Sequence, residues 1–110
     1  MVFEMPVPLN RQVDNDDPGR ALKALSHPMR LKIVKKLLDG ESNVAGLRKR
    51  LRCAQHKMSR HLAVMRAAGI VQFRVSGPER VYFIPRPLRK VSKGSPVLDI
   101  GCCRFRGEKL

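Results

Sequence analysis

Between Met29 and Asp39 the apolar residues Leu31, Ile33, Val34, Leu37 and Leu38 recur at helical spacing, with Arg30, Lys32, Lys35 and Lys36 on the opposite face. Gly40 follows as a stop signal. Upstream, Leu22, Leu25 and neighbouring alanines form a shorter stripe that starts at Pro18, preceded by Asp14, Asp16 and Asp17. Acids suit the positive end of a helix, and proline suits its first turn. Pro28 ends that helix and opens the next. A third short helix is predicted in "SNVAGLRKRL", capped by Ser42 or Asn43 and buried through Val44, Leu47 and Leu51. After a turn at Arg52–Ala54, "QHKMSRHLAVMRAAG" places Met58, Leu62 and Met65 at i, i+4 and i+7, and Gly69 closes it. The period then falls to two. Val71, Phe73 and Val75 alternate before "SGPE", and Val81 and Phe83 after it, which predicts a hairpin.

Three helices, a fourth with polar residues at its start, and a basic hairpin are the order of a winged helix-turn-helix, a mainly α fold with a small β hairpin. The predicted division is an arm at 1–16, the winged domain at 17–85, and a basic connector with a Cys-Cys tail at 86–110. "PRPLRKVSKGSP" is too broken by proline and glycine for a helix, which is why it is assigned to the connector. "VLDIGCCRFR" is expected to form a last strand. If that strand is regular, Leu98, Ile100 and Cys102 share one face, while Cys103 points away with Phe105.

Charge gives this architecture its partner. The 110 residues hold 23 Lys+Arg against 9 Asp+Glu, a formal charge of +14. Four of the acids lie in the first seventeen residues, so the remainder is more basic still. Such a chain suits a polyanion, because each cation set on a phosphate releases condensed counterions. A recognition helix offers its first residues to base edges while its apolar stripe anchors it. Gln55 fits adenine, Lys57 or Arg60 fits guanine or phosphate, and Ser59 fits phosphate. Arg74 and Arg80, near the hairpin tip, are expected to grip the duplex backbone or a minor groove. Met58 and Met65 read as core residues, and His27 as structural.

Residues from about Ala21 to Ile84 resemble the ArsR family of bacterial winged-helix repressors. "ALSHPMRLKIVKKLLDGE" is similar to the family's opening helices, "MSRHLAVMRAAGIV" to its recognition helix and the start of its wing, and "GPERVYFI" to its second wing strand. The resemblance implies a homodimer on a pseudo-palindromic operator, with two recognition helices in successive major grooves about 34 Å apart. It also implies release from that operator when an inducer binds, and DNA contacts at Gln55, His56, Lys57, Ser59, Arg60 and His61. For His61 a packed, hydrogen-bonded role stands beside the base-reading one. His56 and Lys57 stand where small hydroxyl residues are usual, so no operator sequence carries over.

Two sensor designs of that family are missing. A Cys-Val-Cys pair on the third helix would fall at Asn43 and Ala45. The tail has no histidine for a C-terminal His, Asp and Glu site. The remaining chemistry is thiol chemistry at Cys53, Cys102 and Cys103. Thiolates select soft ions such as Cu(I) or trivalent arsenic, and arsenic takes three sulfurs. Arg104 and Arg106 favour a thiolate, and Gly101 permits a kink. For the Cys102–Cys103 pair, soft-ion sensing, redox sensing and structural burial all stay open. Cys53, in the helix turn, reads first as a packing residue. With no clear C-terminal helix, the apolar arm "VFEMPV" and the last strand are the expected dimer-pairing edges.

Other classes fit poorly. No nucleophile and base stand at motif spacing, and the six residues between Cys53 and Arg60 are one too many for a cysteine phosphatase loop. An enzyme is therefore not expected. A single-strand RNA binder would want stacking platforms, and the chain has four Phe, one Tyr and no Trp. No apolar run approaches a membrane span, and three cysteines without CxxC do not form a disulfide framework. The expected setting is a reducing cytoplasm. The expected function is a repressor released by arsenite, a soft metal ion or an oxidant. The rival is a winged-helix regulator whose cysteines only pack.

Overall fold

The computed structural model describes residues 18–101 and 103–107. The arm expected at 1–16 and the thiol of Cys102 lie outside them. Helix α1 spans Pro18–Leu25 and α2 spans Pro28–Asp39. A two-residue strand β1 (Ser42–Asn43) leads into α3 (Val44–Leu51), then α4 (Gln55–Ala67). Strands β2 (Gln72–Ser76) and β3 (Glu79–Phe83) form the hairpin. A 3-10 turn at Arg86–Leu88 is followed by β4 (Arg89–Ser92), β5 (Ser95–Asp99) and β6 (Arg104–Arg106).

The helix boundaries follow local chemistry. Pro28 occupies the first turn of α2, and the His27 imidazole caps it, its Nδ1 accepting from the Met29 N–H at 3.1 Å. That is the structural role expected for His27. Gly69, at φ +79, closes α4 while the Ile70 N–H donates back to the Met65 carbonyl at 2.9 Å. Gly40 ends α2 in extended backbone, so the last carbonyls of that helix need other partners. Arg89 of β4 supplies them, donating to Leu37 O at 3.2 Å and Leu38 O at 2.5 Å.

One core joins the helices to both sheets. Ile33, Val34, Leu37 and Leu38 of α2 meet Leu47 of α3 and Met58, Leu62 and Met65 of α4, with Ile70, Val71, Tyr82, Ile84 and Leu98 around them. Met58 and Met65 are fully buried among these residues. Burial at this level stabilises by about 25 cal/mol per Å² of apolar surface.

The strands form two three-stranded antiparallel sheets, ordered β1-β3-β2 and β4-β5-β6. In the first, β1 pairs Ser42 with Tyr82 and Asn43 with Val81, a pairing that no alternation in so short a segment announces. The buried residues at the end of β3 are Tyr82 and Ile84, while Val81 and Phe83 are half-buried.

The second sheet corrects two expectations. The stretch assigned to a connector holds β4, and the single last strand is two strands, β5 and β6. Pro85 and Pro87 fall in or beside the 3-10 turn, and Pro96 near the start of β5, so they leave β4 unbroken. Lys93 and Gly94 join β4 to β5 with φ of +53 and +80, the positive pair that tight hairpins favour. The last strand breaks because Gly101, at φ +99, turns the chain. Its N–H donates to Asp99 Oδ1 at 2.8 Å, and the Ile100 N–H donates to the Cys103 carbonyl at 3.2 Å. Leu98 then faces Phe105 across the β5–β6 pair.

Candidate nucleic-acid interface

The helix pair is built from its caps. The Asn43 side chain accepts from the Gly46 N–H at 2.8 Å and so opens α3. A Cβ at Gly46 would meet Ser42 Oγ at 2.6 Å, so a larger residue here would displace the Ser42 side chain beside the cap. Arg52 leaves α3 in the left-handed region (φ 52), and Cys53 and Ala54 make the turn. The Arg48 side chain holds that turn by donating to Cys53 O at 3.4 Å. Helix α4 then begins at Gln55 with no side-chain cap and no acid in its first turn. Its positive end is therefore not neutralised by its own side chains.

Helix α4 has two faces. Met58, Leu62 and Met65 are buried; His56, Ser59, Arg60 and Ala63 form the opposite stripe and are exposed, as are Gln55 and Lys57. Five of the six residues expected on α4 are thus exposed. His61 is not. It is half-buried and turned toward α2, where Arg30 Nε donates to its Nδ1 at 3.2 Å. Arg30 also donates to Ala24 O at 3.1 Å, and the His27 ring lies 4.6 Å from the His61 ring. Burial, with His27, Arg30, Arg60 and Lys57 nearby, pushes the His61 pKa down. A neutral His61 that accepts from Arg30 ties α4 to α2, which is the packed role considered for it.

Both hairpin arginines have partners within the fold. Arg74 makes a two-point ion pair with Glu41, Nη1 to Oε2 at 2.6 Å and Nη2 to Oε1. The Glu41 carboxyl is held below its ordinary range, chiefly by that hydrogen bond. The Arg80 guanidinium lies 4.6 Å from the centre of the Phe73 ring, and Arg66, from the end of α4, lies 4.5 Å from the same ring. Phe73 also meets Tyr82, with ring centres 5.4 Å apart. Glu41, Arg66 and Arg30 were not singled out in the sequence. Arg30 and Glu41 act on partners 31 and 33 residues away, so no local spacing marks them, and Arg66 meets Phe73 only because the chain turns between α4 and β2.

Of the thiol residues, Cys53 is half-buried against the core, and Cys103 is half-buried between β5 and β6. Among the described residues no group of three or more His, Cys, Asp or Glu is placed to hold a metal ion. Asn43 and Ala45, where a Cys-Val-Cys pair would fall, serve as helix cap and exposed first-turn residue. Among the described residues no helix is long and apolar enough to cross a membrane.

Two helices joined by a tight turn, an accessible face on the second and a hairpin beside it define a winged helix-turn-helix protein. A structure of that class from Mycobacterium bovis superposes with a TM-score of 0.60, covering 71% of this chain and 75% of that one; at 24% identity it speaks for the fold alone. The family described as "Bacterial regulatory protein, arsR family" matches residues 27–72. The transcriptional activator HlyU of Vibrio cholerae is 39% identical over 77 residues, covering 67% of this chain and 71% of HlyU. Its reduced form superposes with a TM-score of 0.58 at 36% identity, over 60% of this chain and 70% of that structure. The biofilm growth-associated repressor of Xylella fastidiosa is 43% identical over 59 residues, 54% of this chain and 52% of that protein. The match thus spans about half the length of that repressor. The chain belongs to the ArsR family of bacterial transcriptional regulators.

Proposed function

We propose that this chain is a cytoplasmic, homodimeric repressor that binds a pseudo-palindromic duplex operator through α4 and its wing. The observation that carries this reading is the division of α4 into a fully buried stripe and an exposed surface, with His56, Ser59 and Arg60 opposite the buried stripe and Gln55 and Lys57 exposed beside them. The buried stripe fixes the helix to the body, and the exposed stripe offers amide, hydroxyl and cationic groups suited to base edges and phosphates. Arg74 and Arg80 extend the cationic surface onto the wing. Relatives named as repressors favour repression. HlyU, named as an activator, makes the sign of regulation a matter for a reporter assay.

The proposed test selects duplexes from a random pool and compares the wild type with Arg60→Ala and Lys57→Ala. Loss of sequence preference in either variant supports direct reading by α4. Binding of single-stranded RNA in preference to any duplex overturns the proposal.

The proposed inducer is thiol-reactive (arsenite, a soft metal ion or an oxidant) and acts at the tail cysteines Cys102 and Cys103, with Cys53 as a third thiol. What supports it is the position of Cys103, half-buried beside Arg104 in a sheet that Arg89 and Leu98 bind to α2. Chemistry at the β5–β6 junction would therefore be felt by the helix that packs on α4. Release of DNA by arsenite, Cu(I) or peroxide, lost in Cys102→Ser or Cys103→Ser, is the expected result. DNA binding indifferent to all three leaves a regulator whose cysteines only pack.

A further inference from the structure

The Arg74–Glu41 pair spans an unusual path. Asn43 pairs with Val81 and Val81 with Arg74, so these three residues form one row across β1, β3 and β2. Glu41 stands two residues before Asn43, on the approach to α3. Arg74 therefore reaches back over β3, away from the hairpin turn, to meet it. Both side chains are about half exposed, at 52% and 48%, and both arginine Nη atoms are engaged. The guanidinium fork takes a carboxylate and a phosphate through the same pair of parallel N–H···O bonds. Glu41 thus fills the fork that a backbone phosphate would fill. The pairing is mutual, since the hydrogen bond lowers the Glu41 pKa and raises that of Arg74. Exposed ion pairs are weak, so a polyanion can exchange with this one. In a chain with 23 Lys+Arg and 9 Asp+Glu, a carboxylate beside the proposed DNA surface is costly to affinity unless it serves some end.

We infer that Glu41 acts as an internal phosphate surrogate that holds Arg74 in the free protein and yields it to the duplex backbone on docking, thereby setting DNA affinity. The inference rests on the DNA-binding function proposed above. Glu41 is in this sense a positioning residue, acting only through Arg74.

The test measures binding of the full-length protein and its variants to one selected duplex across a range of KCl concentrations. Glu41→Gln is expected to bind about two- to fivefold tighter, the range an exposed pair can hold back. Arg74→Gln is expected to bind more weakly and to lower the salt slope by about 0.9, one phosphate contact. In the Arg74→Gln background, Glu41→Gln should bring no gain. Equal tightening in both backgrounds would mean only the loss of a nearby negative charge, and would overturn the inference. Weaker or unchanged binding by Glu41→Gln in the wild-type background would make the pair a strut for the wing, and would overturn it too. A wild type that selects no duplex removes the DNA-binding function itself, and this inference with it.

Discussion

The two sheets are built alike and treated differently. Each has three antiparallel strands and a tight turn with a glycine at positive φ. In the wing, β2 is exposed at four of its five residues, and Val75 keeps 71% of its surface. In the second sheet, Val97 and Leu98 of β5 are buried, and Leu98 belongs to the main core. The difference lies in what each sheet rests on. The wing meets the helical body at its base, where Phe73 and Tyr82 pack on the core, while Val75 projects. The second sheet lies along α2 and is pinned by Arg89 to the end of that helix. A strand projected into solvent is free to carry cations outward, whereas a strand laid on a helix becomes core.

The sharpest way to break this comparison is to empty the buried strand. Leu98→Ala should cost about 2–5 kcal/mol of unfolding free energy, the range for a buried leucine. Denaturant unfolding measures it, and a loss below about 0.5 kcal/mol would mean that the second sheet is an ornament and not part of the core.

Next comes the pin. Arg89→Ala leaves two helix-end carbonyls without this donor and should cost about 1–3 kcal/mol. A reduced midpoint with an unchanged denaturant slope is the expected signature.

The wing sheet has its own anchor in Asn43, which is both a β1 residue and the cap of α3. Asn43→Ala should cost about 1 kcal/mol, as lost caps do. If thermal unfolding shows no change, the cap is not holding the helix.

A smaller effect is the pH dependence of the second sheet. Asp99 of β5 accepts from the Gly101 N–H and from Arg104 Nε at 3.0 Å, and its pKa is lowered from the ordinary 3.8, first by the Gly101 bond. Because the folded value is the lower one, this contribution is complete above about pH 4 and fades as the pH falls through the folded value. Asp99→Asn should lower stability slightly across the neutral region and flatten the acid limb, so that the two proteins converge once the pH has fallen through the folded value.

The smallest effect belongs to the exposed strand. Val75→Thr should change stability by less than about 0.5 kcal/mol. A larger loss would show that the wing packs on something in solution.

How much of this could be read in the chain depends on how local the cause is. Helices α1 to α4 were legible because apolar periodicity and end signals act within a few residues. Pro28, Asn43 and Gly69 mark boundaries that the structure keeps. The anchored stripe of α4 was legible too, since Met58, Leu62 and Met65 recur at helical spacing and Gln55, Lys57, Ser59 and Arg60 fall outside that stripe. The second sheet was misread because its prolines suggested a connector. Its own signal, Lys93-Gly94 between two short runs that each hold a valine, is a two-residue hairpin turn. His61 was left between two roles because helical spacing gives its direction and not what waits there.

The sequence by itself determined the order of helices and hairpin, the anchored stripe of α4 and the excess of cations. These depend on neighbours three or four residues apart, or on composition alone. Only the tertiary structure decided that Arg30 would take His61, that Glu41 would take Arg74, and that Arg89 would close α2 from a strand 51 residues away from Leu38. The physical reason is the reach of a long side chain: an arginine meets whatever the fold brings within hydrogen-bonding distance, and that meeting has no period along the chain.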